Sequence, residues 1–336
     1  MVGEKINVIY ASDDRFSEIL GVSLLSLLEN NFEKQISVFI MDSGITNKNK
    51  SAIEKMVLQY SSAELTWLTA KNVCDVIEMT VTTDRGSLSQ YARLFLDELL
   101  PEDMQRVLYL DCDIIINQPI DDLWNIDLQE NTIAALDDAF SKYYRDNINL
   151  QPDDIMFNSG VMLVDMEKWR GRKVEDRLLA FMTSKNGKVQ QGDQGVLNAV
   201  LSRETFCFAP RFNAVTIYFD FNYREIIKYR KPARFYFETE IEEAMQQPVL
   251  IHFTTSFLSR RPWVKGCQHK YVSQWLYYKS KSPWAETPLW DYHAPRLTMA
   301  MHLFFKITPR RIAISVAGFL QAYGRPLMKK FRAEKR

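Results

Sequence analysis

The segment RVLYLDCDIII, residues 106–116, constrains this chain more than any other. Val107–Leu110 read as a buried strand, Ile114–Ile116 as a second apolar run, and Asp111 and Asp113 stand between them. On a continuing strand, side chains two apart share one face and next neighbours alternate, so the strand-end geometry decides what two such carboxylates can share. A turn at this point lets both reach a common ion, one directly and one through water. Hard oxygen ligands suit Mg²⁺ or Mn²⁺, and one or two carboxylates plus substrate phosphates is a usual arrangement for them. The alternative is a D-x-D that merely ends a strand.

The rest of the chain supplies a setting for that turn. Apolar runs at Ile6–Ala11 and Ile36–Met41 each end at an acid, Asp13 and Asp42, and alternate with helical patterns over 16–30 and 47–60. Glu64–Leu68, Thr132–Leu136, Gly160–Val164 and Val249–Phe253 read as further strands, and 87–100 (SLSQYARLFLDELL) and Asp193–Leu201 as helices. This rhythm predicts an α/β fold with a mostly parallel sheet covered by helices, in which ligands collect at the carboxyl ends of the strands. Asp13 stands at such an end. No repeat or Pro/Ser-rich linker interrupts the pattern, so residues 1–265 are expected to form one catalytic domain. Residues 266–336 are expected to form an aromatic and basic helical extension.

With only 12 Gly the chain carries neither a P-loop nor a G-x-G-x-x-G fingerprint. A bound diphosphate would therefore be offset by a metal and by basic side chains such as Arg93, Arg260 and Arg261. His252, in VLIHF, is a candidate third metal ligand, with a satisfied core histidine as the alternative. His269, His293 and His302 show no paired ligand spacing, and Cys267 with His269 does not make a zinc site. Phe157-Asn158-Ser159-Gly160 offers several donors and acceptors to sugar hydroxyls. In Gly192-Asp193-Gln194-Gly195 the acid either caps a helix or lines a pocket.

The four cysteines, Cys74, Cys112, Cys207 and Cys267, are scattered without C-x-x-C spacing, as in a reduced, cytosolic protein. The N-terminus runs straight into a strand, with no secretory signal visible, and no stretch of 18 or more apolar residues suggests a spanning helix.

Taken together, these segments resemble the family 8 glycosyltransferases, retaining enzymes of the GT-A fold that include bacterial lipopolysaccharide galactosyltransferases and glycogenin. The resemblance rests on IYASDD, SLSQYARLFL, VLYLDCDIII, FNSGVMLVDMEKWR, GDQGVLNAV and the late IHF…RPW, in family order across residues 6–263. It implies a GT-A, Rossmann-like mixed sheet and transfer of a hexose, galactose or glucose, from a UDP-sugar to a glycan acceptor. It also implies that Tyr10, Ala11 and Asp13 hold uracil and ribose, and that Asp111, Asp113 and His252 bind Mn²⁺ or Mg²⁺ beside Cys112. Arg93 would contact the donor sugar or the metal-site carboxylates. Asn158, Ser159, Asp137, Asp193 and Gln194 would line the sugar pocket, with Gln194 near the β-face of the anomeric carbon. One departure is visible. The family often has a glycine three residues after the histidine and then K-P-W, whereas here Thr255 stands at the glycine position, the spacing is longer, and Arg261 replaces the lysine. Arg261 retains the ability to grip a phosphate.

Two other readings exist. A haloacid-dehalogenase-like phosphatase also places D-x-D after an apolar strand but usually has Thr or Val two residues after the second Asp, where Ile115 stands. A non-catalytic nucleotide-sugar-binding protein would bind donor without turnover.

The balance of 42 basic and 42 acidic residues hides an asymmetry. Residues 296–336 hold ten Lys/Arg and one acid, Glu334, so the remaining chain is acidic by nine charges and the tail basic by nine. Basic residues interleaved with Leu, Phe and Ile suit a helix lying on an anionic bilayer. The expectation is a protein peripheral to the cytoplasmic face of the cell membrane, meeting a lipid- or protein-linked glycan acceptor. The alternative is a helix packed on the catalytic domain. An acidic body argues against nucleic acid.

Overall fold

A computed structural model describes residues 5–81, 87–292 and 296–334. Strands β1 (Ile6–Ser12), β2 (Ile36–Asp42) and β3 (Ala63–Thr69) run parallel, with β2 between the other two. Next come β4 (Arg106–Leu110), β5 (Ile114–Ile116), β6 (Ile133–Asp137), β7 (Phe157–Asp165), β8 (Thr205–Cys207), β9 (Ala214–Val215) and β10 (Leu250–His252). Seven of them form one sheet in the order β3-β2-β1-β4-β7-β6-β8, with β7 antiparallel to both neighbours. The mixed, mostly parallel sheet expected from the sequence is therefore present. The other three form a small sheet, β5-β10-β9.

The helix Ser17–Asn30 joins the two sheets. Twelve of its residues, Ser17 through Leu28, are buried, so it carries no solvent face to speak of. Its polar groups are satisfied within the core: Ser26 Oγ accepts from the Ile116 amide at 3.0 Å, and Asn30 Nδ2 donates to the Ile116 carbonyl at 3.0 Å. A helix packed on both sides needs apolar residues all round, which is why its sequence shows so weak a polar stripe.

The chain leaves the large sheet at Leu110 and enters the small one at Ile114. This switch gives the D-x-D its shape. The Asp111 amide still bonds the Gly160 carbonyl of β7 at 2.8 Å, while the Asp113 carbonyl already accepts from Phe253, just past β10, at 2.9 Å.

Two expectations change. Residues 87–100 do not form one long helix: a 3₁₀ stretch, Ser89–Phe95, is followed by a short α-turn, Leu96–Leu99. Tyr91 through Phe95 are all buried, so the segment has no wet face, and a tight 3₁₀ turn packs such a run where an amphipathic α-helix cannot. In the helix Asp193–Leu201 the N-cap is Gly192, at φ +59°, and Asp193 is the first helical residue. A Cβ on Gly192 would lie 2.8 Å from Gln90 Nε2, and the positive φ already favours glycine there.

The tail folds back onto the body. Helices Arg296–Ile307, Arg310–Phe319 and Arg325–Glu334 are joined, for the last two, by a π-turn at Leu320–Gly324. Ala313, Ile314, Ala317 and Gly318 are buried against the helix Tyr223–Arg230. Gly318 permits that approach, since a Cβ there would sit 2.6 Å from the Lys228 carbonyl oxygen. Arg310 grips Glu225 with two hydrogen bonds of 2.7 and 2.8 Å. Packing on the domain, one of the two sequence alternatives, thus accounts for this part of the tail. The opposite side of the same helices exposes Ile312, Val316, Phe319, Leu320, Leu327 and Met328.

Candidate active site

Asp111, Asp113 and His252 present ligand atoms that all lie within 4.8 Å of one another. Asp113 is the residue before β5, and His252 ends β10, paired with Ile114 in the antiparallel register. His252 Nε2 faces Asp113 Oδ1 at 3.1 Å and Asp111 Oδ2 at 3.8 Å.

A buried relay behind the ring fixes which nitrogen faces the acids. The Gly160 amide donates to Asn158 Oδ1 at 3.0 Å, and Asn213 Nδ2 donates to the same oxygen at 3.1 Å. This turns Asn213 Oδ1 toward His252 Nδ1, at 2.9 Å. With Nδ1–H donating to that oxygen, the Nε2 lone pair points at two carboxylates. Three acceptors facing one another leave room for a cation, and an imidazole nitrogen with two carboxylates is a donor set that Mn²⁺ or Mg²⁺ accepts. Gly160 belongs to this geometry: a Cβ there would overlap His252 Cε1 and come within 2.9 Å of Asp111 Oδ2.

Arg93 organises the neighbouring wall. It is 5 % exposed, and its guanidinium bonds Asp111 Oδ1 (2.7 Å), the Ser159 carbonyl (2.7 Å) and Asp193 Oδ2 (3.0 Å) while lying 4.2 Å from the centre of the Tyr109 ring. Burial opposes the charge, but Asp111 and Asp193 hold the guanidinium protonated. Asp193 is pushed up to about 6, mainly by burial, against the pull of Arg93. Tyr109 donates to Asp111 Oδ1 at 3.0 Å.

Arg93, Tyr109, Asp111, Asp113 and Asp193 line a cavity of about 280 Å³ together with Ala11, Cys112, Ser159 and Gln194. Gln194 Oε1 accepts from the Ser159 amide at 3.3 Å. Cys112 is buried, its thiol pushed up by that burial and donating to the Ala11 carbonyl at 3.2 Å.

Other expected residues stand elsewhere. The Tyr10 side chain is wholly buried, its hydroxyl 3.4 Å from Ser23 Oγ, which leaves only its backbone for a nucleotide. Asp13 caps the turn Asp14–Phe16 and accepts from Ser87 at 2.6 Å, so it borders the cavity through Ser87. Asn158 stands behind the histidine rather than in the cavity. Asp137 ends β6, bonded to Arg234 at 2.8 Å and outside the cavity lining. Arg261 reaches Asp113 Oδ2 at 3.3 Å and Thr255 Oγ1 at 2.9 Å, so it lies at the metal ligands, where the departure from K-P-W left its position open.

Sequence reasoning missed Asn213, Tyr109 and a whole side of the cavity built from Phe140, Tyr144, Arg230, Gln321, Arg325 and Lys329. Asn213 follows an unremarkable Pro-Arg-Phe turn, and nothing local marks it. Tyr109 was visible only as one more strand residue.

The fold and this site define a GT-A-type glycosyltransferase. The chain belongs to glycosyl transferase family 8, whose model matches residues 7–266. It is 26% identical to General stress protein A of Bacillus subtilis (strain 168) over 84% of this chain and 95% of that protein. It is 24% identical to the lipopolysaccharide 1,2-glucosyltransferase of Escherichia coli (strain K12), over 84% of this chain and 80% of the relative. Among solved structures, galactosyltransferase LgtC, crystallised with donor and acceptor sugar analogs, superposes with a TM-score of 0.70. The match is at 20% identity, over 88% of this chain and 99% of that one.

Proposed function

We propose that this enzyme transfers a hexose, galactose or glucose, from a UDP-sugar to a glycan acceptor with retention of anomeric configuration. The observation that carries this reading is the His252 Nε2 lone pair turned toward Asp111 and Asp113 on the border of a cavity. Those three residues would hold Mn²⁺ or Mg²⁺, which supplies charge stabilisation for the leaving diphosphate. Arg261 stands where a guanidinium could release Asp113 and take up a phosphate oxygen.

Two retaining routes differ in what they ask of Asp193. Double displacement needs a free carboxylate as nucleophile. Asp193 is held by Arg93, and Gln194, an amide, is turned to Ser159, which favours front-face attack. On that route the C1–O bond to the β-phosphate breaks as the acceptor oxygen bonds C1 on the same face. The acceptor's proton passes to the departing diphosphate. Arg93 fixes Asp111 and Asp193, and Gln194 and Ser159 orient sugar hydroxyls.

We read residues 1–265 as the catalytic unit and 266–336 as its extension. Among the described residues no helix is long and apolar enough to cross a membrane. The exposed apolar side chains between Ile312 and Met328, among basic neighbours, support peripheral docking on the cytoplasmic face of an anionic membrane, where a lipid-linked acceptor would be met.

The test is UDP release from a panel of UDP-sugars with Mn²⁺, then with chelator. Slow hydrolysis of one donor, lost on chelation, is expected. Donor binding without release under any condition would favour the non-catalytic reading, and phosphate release in place of UDP would favour a phosphatase.

A further inference from the structure

One side of the cavity is used by nothing in the donor chemistry. It is built where the tail meets the body, and it carries Arg230, Arg325 and Lys329. The acids that line the cavity, Asp111, Asp113 and Asp193, are engaged by Arg93 and Arg261. Among the described lining residues this wall brings two guanidiniums, those of Arg230 and Arg325, and no carboxylate.

Its geometry is built rather than incidental. The Arg230 guanidinium lies 5.8 Å from the centre of the Phe140 ring and 5.4 Å from that of Tyr229, and its Nε is buried with no hydrogen-bond partner. Arg325 follows the π-turn, which brings it to the cavity: Tyr144 donates to the Gln321 carbonyl at 3.1 Å and Ser141 to the Ala322 carbonyl at 2.7 Å. Such widened turns recur at functional positions. Arg325 itself donates to Gln321 Oε1 at a long 3.4 Å, leaving most of its fork available to the cavity. Gathering positive charge around one space, with a buried N–H left unpartnered on one of the two guanidiniums, costs free energy that an anion would offset.

We propose that Arg230 and Arg325, with Lys329 beside them, form an acceptor subsite for an anionic substituent, a phosphoryl or carboxylate group on the molecule that receives the sugar. This rests on the donor reading above, in which the diphosphate lies at Asp111, Asp113 and His252. Two guanidiniums approaching from different elements suit a tetrahedral or planar oxyanion better than a hydroxyl, because each can donate two parallel bonds.

The test is equilibrium titration of the full chain saturated with UDP and Mn²⁺. The probes are glucose 6-phosphate, glucuronate, farnesyl diphosphate and, as the neutral control, methyl glucoside. At least one anionic probe is expected to bind about tenfold or more tighter than the control. Which one does so separates a phosphorylated sugar, an acidic sugar and a lipid diphosphate. The preference is expected to vanish in Arg230→Gln/Arg325→Gln and to survive largely in Arg325→Lys, which keeps the charge. Thermal unfolding of each variant separates misfolding from lost charge. Equal binding of neutral and anionic probes, no binding of any, or a preference that persists in the double variant would overturn the subsite. Failure of UDP to bind in the first step would instead sink the donor reading.

Discussion

The two sides of the cavity are made in different ways. The metal side is assembled from strand ends of two sheets and is closed by a relay of short, buried hydrogen bonds from Gly160 through Asn158 and Asn213 to His252. The opposite side is assembled by docking: the tail lies on the helix Tyr223–Arg230 through small residues and, among the described residues, reaches the cavity with its π-turn and last helix. Sheet-borne side chains are placed by backbone pairing, so their positions follow from register. Side chains brought in by a docked helix depend on packing that a single methyl group can disturb.

That contrast can be broken from either side. The largest effect is expected at the metal ligands. Asp113→Ala should reduce UDP release by about 10³-fold or more, comparable to removing the metal, because the remaining ligands and the orphaned His252 cannot hold an ion. Residual Mn²⁺-dependent release near the wild-type rate would remove Asp113 from the site.

Next comes the relay. Asn213→Ala frees the His252 tautomer and should weaken Mn²⁺ binding by about 10–100-fold, the range for lost outer-shell partners. Titrating metal against UDP release or against an intrinsic Trp signal measures it. Unchanged affinity would mean that the ring is held by packing alone.

On the docked side, Gly318→Val should lower stability by about 1–3 kcal/mol, since the new atoms meet the Lys228 carbonyl. Limited proteolysis is expected to cut first in the tail, with Mn²⁺ affinity retained. Loss of metal binding together with tail release would show that the two sides are coupled rather than separately built.

A last comparison concerns Asp137, which ends β6 outside the cavity lining and bears on stability rather than on the site. Burial pushes its carboxyl up to about 6, more strongly than Arg234 and Arg145 pull it down. The folded state therefore favours the protonated form. That contribution is fully present below the ordinary Asp range and is lost as pH rises through about 6. It amounts to about 3 kcal/mol at most between the two ends. Asp137→Asn should remove this part of the pH dependence, so the variant's stability relative to wild type rises between about pH 4 and 6. Parallel wild-type and variant curves in denaturant titrations across that range would contradict the shift.

Much of the metal side was legible beforehand, because its signals are local. An apolar strand ending in two acids, a late histidine after a strand and an arginine in SQYARLF each show in a few residues. Their convergence needed the motif order as well as the residues. Tyr10 illustrates the limit. It stands in the IYASDD motif at a strand end, yet strand alternation turns its ring toward Ser23 and leaves Ala11 facing the cavity. The long helix expected over 87–100 failed for a related reason: its apolar spacing fits a helix, but burial on all sides favoured the tighter turn.

Sequence by itself determined the alternation of strands and helices, the carboxylate pair, the family and the charge segregation of the tail, because each is written in periodicity or in short-range spacing. Tertiary structure alone decided that Asn213 selects the histidine's nitrogen, that Gly160 makes room for it, and that Arg230 and Arg325 line one cavity where the tail docks. Those residues are brought together from separate elements, and no local pattern in the chain records a contact that only folding makes.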